Sequence, residues 1–432
     1  MGLGVGVAAD KRSPEHFFRP VESPVDLSTL DADQVFPRGK LFLFSHYSVG
    51  GGSPEKSNDL MPEEYVQEDF KKYIAEGYKV FGPQYELNDR ALEDAEKHNL
   101  KVVYSVGLDM NFHKKGDKPA LDLTPEEIDK QVREQIAKVA DNKHIAVWDL
   151  RPEELRPWRK KEMEYLEVAA KAVRETDPLK RPIFQYDPAH ATKGRLASTI
   201  KHLDFSGRGT YTNYSGHKNE RIFVLWSMEQ MKEAIKEANP NGHPLAVLEG
   251  FRQPDPEELG LIDTWVRHDS YLGMVGGAKG ILMFSRRLRP KFDAWGDYMK
   301  AYAQVNKELT GELGLANVFL FGEWREDISV DVYEGPEQVD FTFPSAKITD
   351  PIKYNSVNFA DIAYGDKRYL FIVNSAEEPV SVYVGGISYN SAMAKSLFHP
   401  EDKDFLVGEG EFAVDLKPLE VRAYEFSRKQ GN

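Results

Sequence analysis

Two short stretches hold acidic side chains where a solvated helix face would not put them. In "PLAVLEGF" (244–251), Glu249 directly follows an apolar run and precedes Gly250. In "AVWDLRPEELR" (146–156), an apolar run ending at Trp148 gives way to Asp149, Glu153 and Glu154, with Arg151, Pro152 and Arg156 among them. An unpaired carboxylate is costly to bury, so each stretch needs a compensating partner or a task. Two carboxylates that face one another suit the cleavage of a glycosidic bond. One gives and takes a proton, and the other attacks the anomeric carbon or activates water. A separation of about 5–5.5 Å goes with retention of configuration, and about 6.5–9.5 Å with inversion. The plain alternatives are a salt bridge for Glu249 and a charged helix start for residues 149–156.

Whether the two stretches meet depends on the elements that carry them. Apolar, β-rich runs recur along the chain: 40–48, 78–85, 101–109, 145–150, 182–188, 203–212, 244–251 and 280–285. Each is followed by a helical pattern, at about 62–76, 88–98, 124–140, 158–176, 193–202, 227–238, 256–272 and 293–309. The helix from Thr124 opens with Thr-Pro-Glu-Glu, an N-cap followed by proline and first-turn acids. The strands are continuous apolar runs, as parallel strands buried on both faces should be. Eight such units predict a (β/α)8 TIM barrel over residues 1–314, including an N-terminal extension. An open doubly wound sheet is the rival, but the first unit lacks the G-x-G-x-x-G loop of dinucleotide binding. After about residue 315, short alternating runs such as "RYLFIVNSA" and "PVSVYVGG" predict a C-terminal antiparallel β-sandwich over 315–432.

In such a barrel the active site lies at the carboxyl ends of the strands. Glu249 then ends strand 7, and Glu153 and Glu154 follow strand 4, across the ring. The same logic offers substrate contacts at every strand end: His46 and Tyr47, Gln84, Asp109, Trp148, Tyr186 and His190, Tyr211 and Tyr214, and Arg286 and Arg287. Arg286, Arg287 and Arg289 form a basic cluster. They are either partners of nearby carboxylates or an anion pocket for a uronate or sulfated sugar, which Arg binds in bidentate fashion. His46, His190 and His217 are scattered, and there is no H-E-x-x-H, so they read as hydrogen-bonding residues rather than metal ligands. Trp226 and Trp265 read as core, and Trp158 as a stacking platform beside the site loop.

In these features the chain resembles the two-glutamate clan of retaining TIM-barrel glycosidases. That clan places its acid/base after strand 4 and its nucleophile after strand 7. Its β-galactosidase-like members carry Trp, three residues, Asn and Glu at strand 4, and this chain has Trp148, Asp149-Leu150-Arg151, Pro152 and Glu153. The resemblance implies Glu153 as acid/base, with Glu154 as the alternative, and Glu249 as nucleophile. It also implies Tyr211, with Tyr214 in reserve, as a tyrosine that hydrogen-bonds the nucleophile, and an appended β-sandwich. The chain departs from the clan where Pro152 replaces the Asn, where Ser285-Arg286-Arg287 stands in place of a strand-8 aromatic platform, and where no Arg ends strand 2. The resemblance covers the whole chain in architecture and a few residues in motif.

The totals set limits on partners. A net charge of −14 disfavours nucleic acid and anionic membrane. Aromatics at 12% suit both a large core and the stacking of sugar rings. With no cysteine, disulfides and thiolate chemistry are out of reach. No apolar run is long enough to span a membrane. The start "MGLGVGVAADKRSP" lacks a basic n-region and fits a trimmed export signal, which would favour a periplasmic or extracellular location over the cytoplasm. The expected partner is a carbohydrate, neutral or anionic, and no cofactor or metal is called for. Two other functions fit the same residues: a non-catalytic sugar-binding barrel, and a metal-dependent barrel hydrolase or isomerase.

Overall fold

The computed structural model of the chain describes residues 13–53, 61–85, 87–108, 122–343 and 350–429. The chain divides into two compact units. One is Leu27–Glu312, and the other joins the N-terminal stretch up to Asp26 to Leu313–Asn432.

The first unit is a (β/α)8 barrel. Its parallel strands are β1 (Leu43–His46), β2 (Val80–Phe81), β3 (Lys101–Gly107), β4 (Ile145–Arg151), β5 (Ile183–Asp187), β6 (Phe205–Thr210), β7 (His243–Glu249) and β8 (Gly280–Phe284). The helices are α1 (Glu63–Ala75), α2 (Ala91–His98), α3 (Pro125–Ala137), α4 (Lys160–Thr176), α5 (Lys193–Ile200), α6 (Phe223–Ala238), α7 (Ile262–Val275) and α8 (Trp295–Thr310). The hydrogen-bonded ladder runs β1-β8-β7-β6-β5-β4-β3-β2. At the remaining seam, between β1 and β2, three bonds replace a ladder. Gly82 donates its N–H to the His46 carbonyl (3.0 Å), Ser48 donates to the Pro83 carbonyl (3.0 Å), and the Ser45 hydroxyl donates to the Gly82 carbonyl (2.5 Å).

Alternation along each strand decides what faces the barrel axis. Leu43, Val80, Val103, Val147, Phe184, Phe205, Leu245, Val247 and Leu282 form the buried interior. The next inward positions toward the carboxyl ends are Tyr47, Tyr186, Tyr211 and Phe284, so the apolar plug becomes aromatic at the mouth. Strand β6 carries Gly207 and Gly209 at inward positions. A Cβ on Gly207 would lie 2.4 Å from Phe184, and one on Gly209 would lie 2.3 Å from the Tyr186 hydroxyl and 2.8 Å from the Tyr211 ring. The two glycines thus make room for the large rings of β5 and of the loop after β6.

Local sequence signals set the ends of the elements. Thr124 and Glu127 form a complete capping box at α3, with Pro125 at the first helical position. Strand β2 stops at Phe81, short of the run over 78–85, because Pro83 has no N–H to donate. Helix α6 starts at Phe223, earlier than the pattern from 227 suggests, with Phe223, Val224, Leu225 and Trp226 all buried.

The second unit is a β-sandwich behind helix α9 (Leu315–Phe321) in the sequence. Its six-stranded sheet contains β9 (Glu323–Arg325), β13 (Val357–Tyr364), β14 (Lys367–Asn374), β16 (Ala392–Ser396), β17 (Phe405–Leu406) and β19 (Val421–Arg428). Its three-stranded sheet contains β10 (Ser329–Glu334), β15 (Val380–Gly385) and β18 (Phe412–Leu416), and β11 (Gln338–Phe341) pairs with β12 (Ile352–Asn355). Phe17 and Phe18 pack into the sandwich core with Leu370, Val382 and Phe426, so the described part of the N-terminal stretch groups with this unit rather than with the barrel. Among the described residues, no helix is long and apolar enough to cross a membrane.

Candidate active site

A cleft of about 530 Å³ opens at the carboxyl ends of the barrel strands. Tyr85, Tyr186, Tyr211, Tyr214, Phe251 and Phe284 supply its aromatic walls, and Glu153, Glu154, His190 and Arg289 its charged and polar groups. Tyr211 is the hub of the aromatics. Its ring centroid lies 5.2 Å from Phe251, 5.7 Å from Phe284 and 6.2 Å from Tyr186.

Glu153 follows β4 directly and turns into this cleft. The Tyr85 hydroxyl reaches both of its carboxyl oxygens, at 3.2 and 3.0 Å. Beneath it, Asp149 points inward from β4 and is fully buried. Asp149 accepts a 2.6 Å bond from the Ser105 hydroxyl, and its other oxygen has no hydrogen-bond partner. Burial and the neighbouring Asp149 push the Glu153 carboxyl up to about 8. Burial also raises Asp149. Arg151 opposes both shifts. Its guanidinium lies 5.3 Å from the Tyr85 ring centroid and donates to the Gln84 carbonyl at 2.8 Å.

Glu249 ends β7 in register with Phe284 of β8. Its Oε2 accepts the backbone N–H groups of Asn213 (2.8 Å) and Tyr214 (3.0 Å), and its Oε1 is buried without a hydrogen-bond partner. Burial pushes this carboxyl up to about 7, against the pull of the two amides and of Arg221. The loop after β6 is held in place by a buried network. Arg221 donates to Asp269 Oδ1 (3.0 Å) and to Asn213 Oδ1 (3.0 Å), and Thr212 donates to Asp269 Oδ2 (3.0 Å). Glu249 is not among the residues that line the cleft. It lies beside the wall formed by Tyr214, whose amide it binds, and by Phe251, two residues further along the chain.

Of the expected contacts, Glu153, Glu154, Tyr186, His190, Tyr211 and Tyr214 meet in one cleft. Tyr47 lies under them, buried, with its ring 5.8 Å from Tyr85 and 5.3 Å from Phe284. Four others are corrected by strand alternation and ion pairing. His46 points outward from β1 into a cage of Tyr73, Tyr78 and Tyr302 and is fully buried, which lowers its pKa. Trp148 points outward from β4, donates its indole N–H to Asp177 at 2.9 Å and packs under Arg181. Gln84 is buried and donates to the Val49 carbonyl at 3.0 Å. Arg286 is 1% exposed and engaged by Asp69 (2.9 Å) and Glu76 (2.6 Å) near the end of α1, so it is no anion receptor.

Arg287 does not line the cleft either. Its side chain packs against Gly52, where a Cβ would lie 2.6 Å from Arg287 Cγ. The arginine that reaches the cleft is Arg289, stacked over Phe251 and Phe284 at 5.0 and 5.3 Å. Asp109 falls outside the described residues. A tyrosine hydroxyl on Glu249 is also corrected, since the loop after β6 binds that carboxylate through main-chain amides. Strand β8 itself ends on an aromatic, Phe284, which lines the cleft one residue before Ser285-Arg286-Arg287. The sequence held its signal, because Phe284 shares the inward face with Leu282. Phe251 shares the strand-end position with Glu249 in the same way.

Barrel, mouth cleft and appended sandwich define a (β/α)8-barrel protein with a C-terminal antiparallel β domain. No family model matches the sequence, and no curated protein sequence matches it. Solved structures do share the fold. An Anoxybacillus α-amylase is 12% identical, with 90% of this chain and 99% of that one covered and a TM-score of 0.54. A glycoside hydrolase is 12% identical over 93% and 97%, with a TM-score of 0.57. A family 5 glycoside hydrolase from Bacteroides vulgatus is 12% identical over 92% of each chain, with a TM-score of 0.53. At this identity the likeness is one of fold.

Proposed function

We propose that the protein is a retaining glycoside hydrolase acting on an oligosaccharide or polysaccharide. The observation that carries this reading is the place of Glu153: its carboxyl faces an aromatic-walled cleft at the barrel mouth, held by the Tyr85 hydroxyl above Asp149, where burial and Asp149 push its pKa up to about 8. A proton held at neutral pH is what a general acid needs. The solved structures of this fold, named as an α-amylase and as glycoside hydrolases, add support by analogy of fold.

In this mechanism Glu153 donates its proton to the glycosidic oxygen as the bond to the anomeric carbon breaks, and Tyr85 holds the carboxyl in place. Glu249 attacks the anomeric carbon through Oε1, the oxygen without a partner, while the amides of Asn213 and Tyr214 hold Oε2. The ionised Glu153 then takes a proton from water, which displaces Glu249 and releases the sugar with its configuration retained. Glu154, exposed on the same loop, is the alternative acid/base.

The test is reducing-end release from a polysaccharide panel by the wild type and by Glu153→Gln and Glu249→Gln, with the anomer of the first product read by NMR. Turnover in the wild type, lost in both variants with the starting anomer kept, is expected. Full turnover in Glu249→Gln would sink the nucleophile assignment. One observation favours a second reading, a sugar-binding barrel without turnover: Glu249 stands behind the cleft wall rather than in it. Glycan binding without any release of reducing ends would favour that reading.

A further inference from the structure

Trp158 is 71% exposed, more than any other large hydrophobic residue described. It stands on the loop after β4 that carries Glu153 and Glu154, anchored by the fully buried Leu155. Loose exposed aromatics are common, but this one has a rigid backing. The Arg195 guanidinium lies 5.8 Å from its ring centroid. Arg195 is itself fixed on three sides: it donates to the Leu155 carbonyl at 2.8 Å, meets His190 Nε2 at 3.4 Å, and lies 3.8 Å from the buried carboxylate of Asp187. His190 is a wall of the cleft. Trp158 is therefore two side-chain contacts beyond the cleft edge. An indole face stacked on a guanidinium and open on its other side has the geometry that takes the apolar face of a sugar ring.

We propose that Trp158 is a distal sugar-binding platform. In this assignment, which rests on the glycosidase reading for its ligand class, a pyranose further along the chain from the bond at Glu153 stacks on Trp158. The substrate is then a glycan chain longer than the cleft alone holds, continuous from Tyr214 and Tyr186 past His190 to the indole.

The experiment is calorimetric titration of the full-length wild type, W158A and W158F. The probes are maltohexaose, cellohexaose, xylohexaose and hexagalacturonate, each against its disaccharide, with reducing-end release followed on the same sugars. At least one hexasaccharide should bind more tightly than its disaccharide. That gap should shrink on the order of tenfold in W158A and return in W158F. An unchanged gap in W158A overturns the platform and leaves the hydrolase reading standing. A gap that depends on Trp158, without release of reducing ends, keeps the platform and overturns the hydrolase. No binding of any of these sugars overturns both.

Discussion

Glu153→Gln should make the protein more stable, by an amount that grows as pH rises from about 5 to about 8 and then levels off. Folding lifts this carboxyl from 4.5 to about 8, so between those values the folded state binds more protons than the unfolded one. Stability contributed by the protonated carboxyl is present in full at acid pH. It falls as pH rises through this window and is lost above the folded value. At ~1.4 kcal/mol per pH unit the upper bound on that loss is about 5 kcal/mol. Water entering from the cleft and the nearby Arg151 relieve the ionised form, so roughly 2 kcal/mol is expected. Glutamine mimics the protonated carboxyl in shape, still accepts from Tyr85, and never ionises. The assay is thermal unfolding of both proteins across the pH range. Below about pH 5 the midpoints should agree, and above about pH 9 the variant should unfold roughly 3 °C higher. A difference that does not change with pH, or a variant less stable at alkaline pH, would refute the half-buried, proton-bearing Glu153.

Activity should follow a bell-shaped pH profile, its acid limb set by ionisation of Glu249 at about 7 and its alkaline limb by loss of the Glu153 proton at about 8. Asp149→Asn should move the alkaline limb to lower pH, because a negative neighbour that helps Glu153 hold its proton is gone; an unmoved limb in a folded variant would count against it. Arg286→Ala should destabilise the barrel by about 3–5 kcal/mol in denaturant titration, since it strands buried Asp69. Asp269→Asn should lower kcat more than it raises KM, because it frees Arg221 and with it the loop whose amides hold Glu249; equal effects on both would argue against a positioning role.

The fold was legible because its signal is redundant. Eight apolar runs, each followed by a helical period, survive an error at any one of them, and the Thr124 N-cap and the alternating C-terminal runs read correctly on their own. The mouth was partly legible. Glu153, Tyr186, His190 and Tyr211 follow from their places at strand ends. His46 ends β1 and Trp148 lies in the middle of β4, and both face the helices, since one residue of register separates the axis from the outer layer. For Arg286 the ion-pair alternative holds over the anion pocket, but its partners, Asp69 and Glu76, lie more than 200 residues earlier in the chain, and no local pattern names an ion pair of that span. Arg289 was lost in the same cluster, because one dimension does not say which of three neighbouring arginines turns toward the cleft.

The seam of the barrel has a consequence for how the chain is made. Strand β1 has its ladder with β8, the last barrel strand to be synthesised, and only scattered bonds to β2. Asp69 likewise waits for Arg286 before its charge is neutralised. A nascent chain halted before residue 280 therefore presents β1 with an open edge and α1 with an uncompensated acid on its inner face. Ribosome-bound intermediates of this protein should stay protease-sensitive around β1 and α1 until the eighth strand emerges, so the first barrel strand and helix translated are among the last to lock.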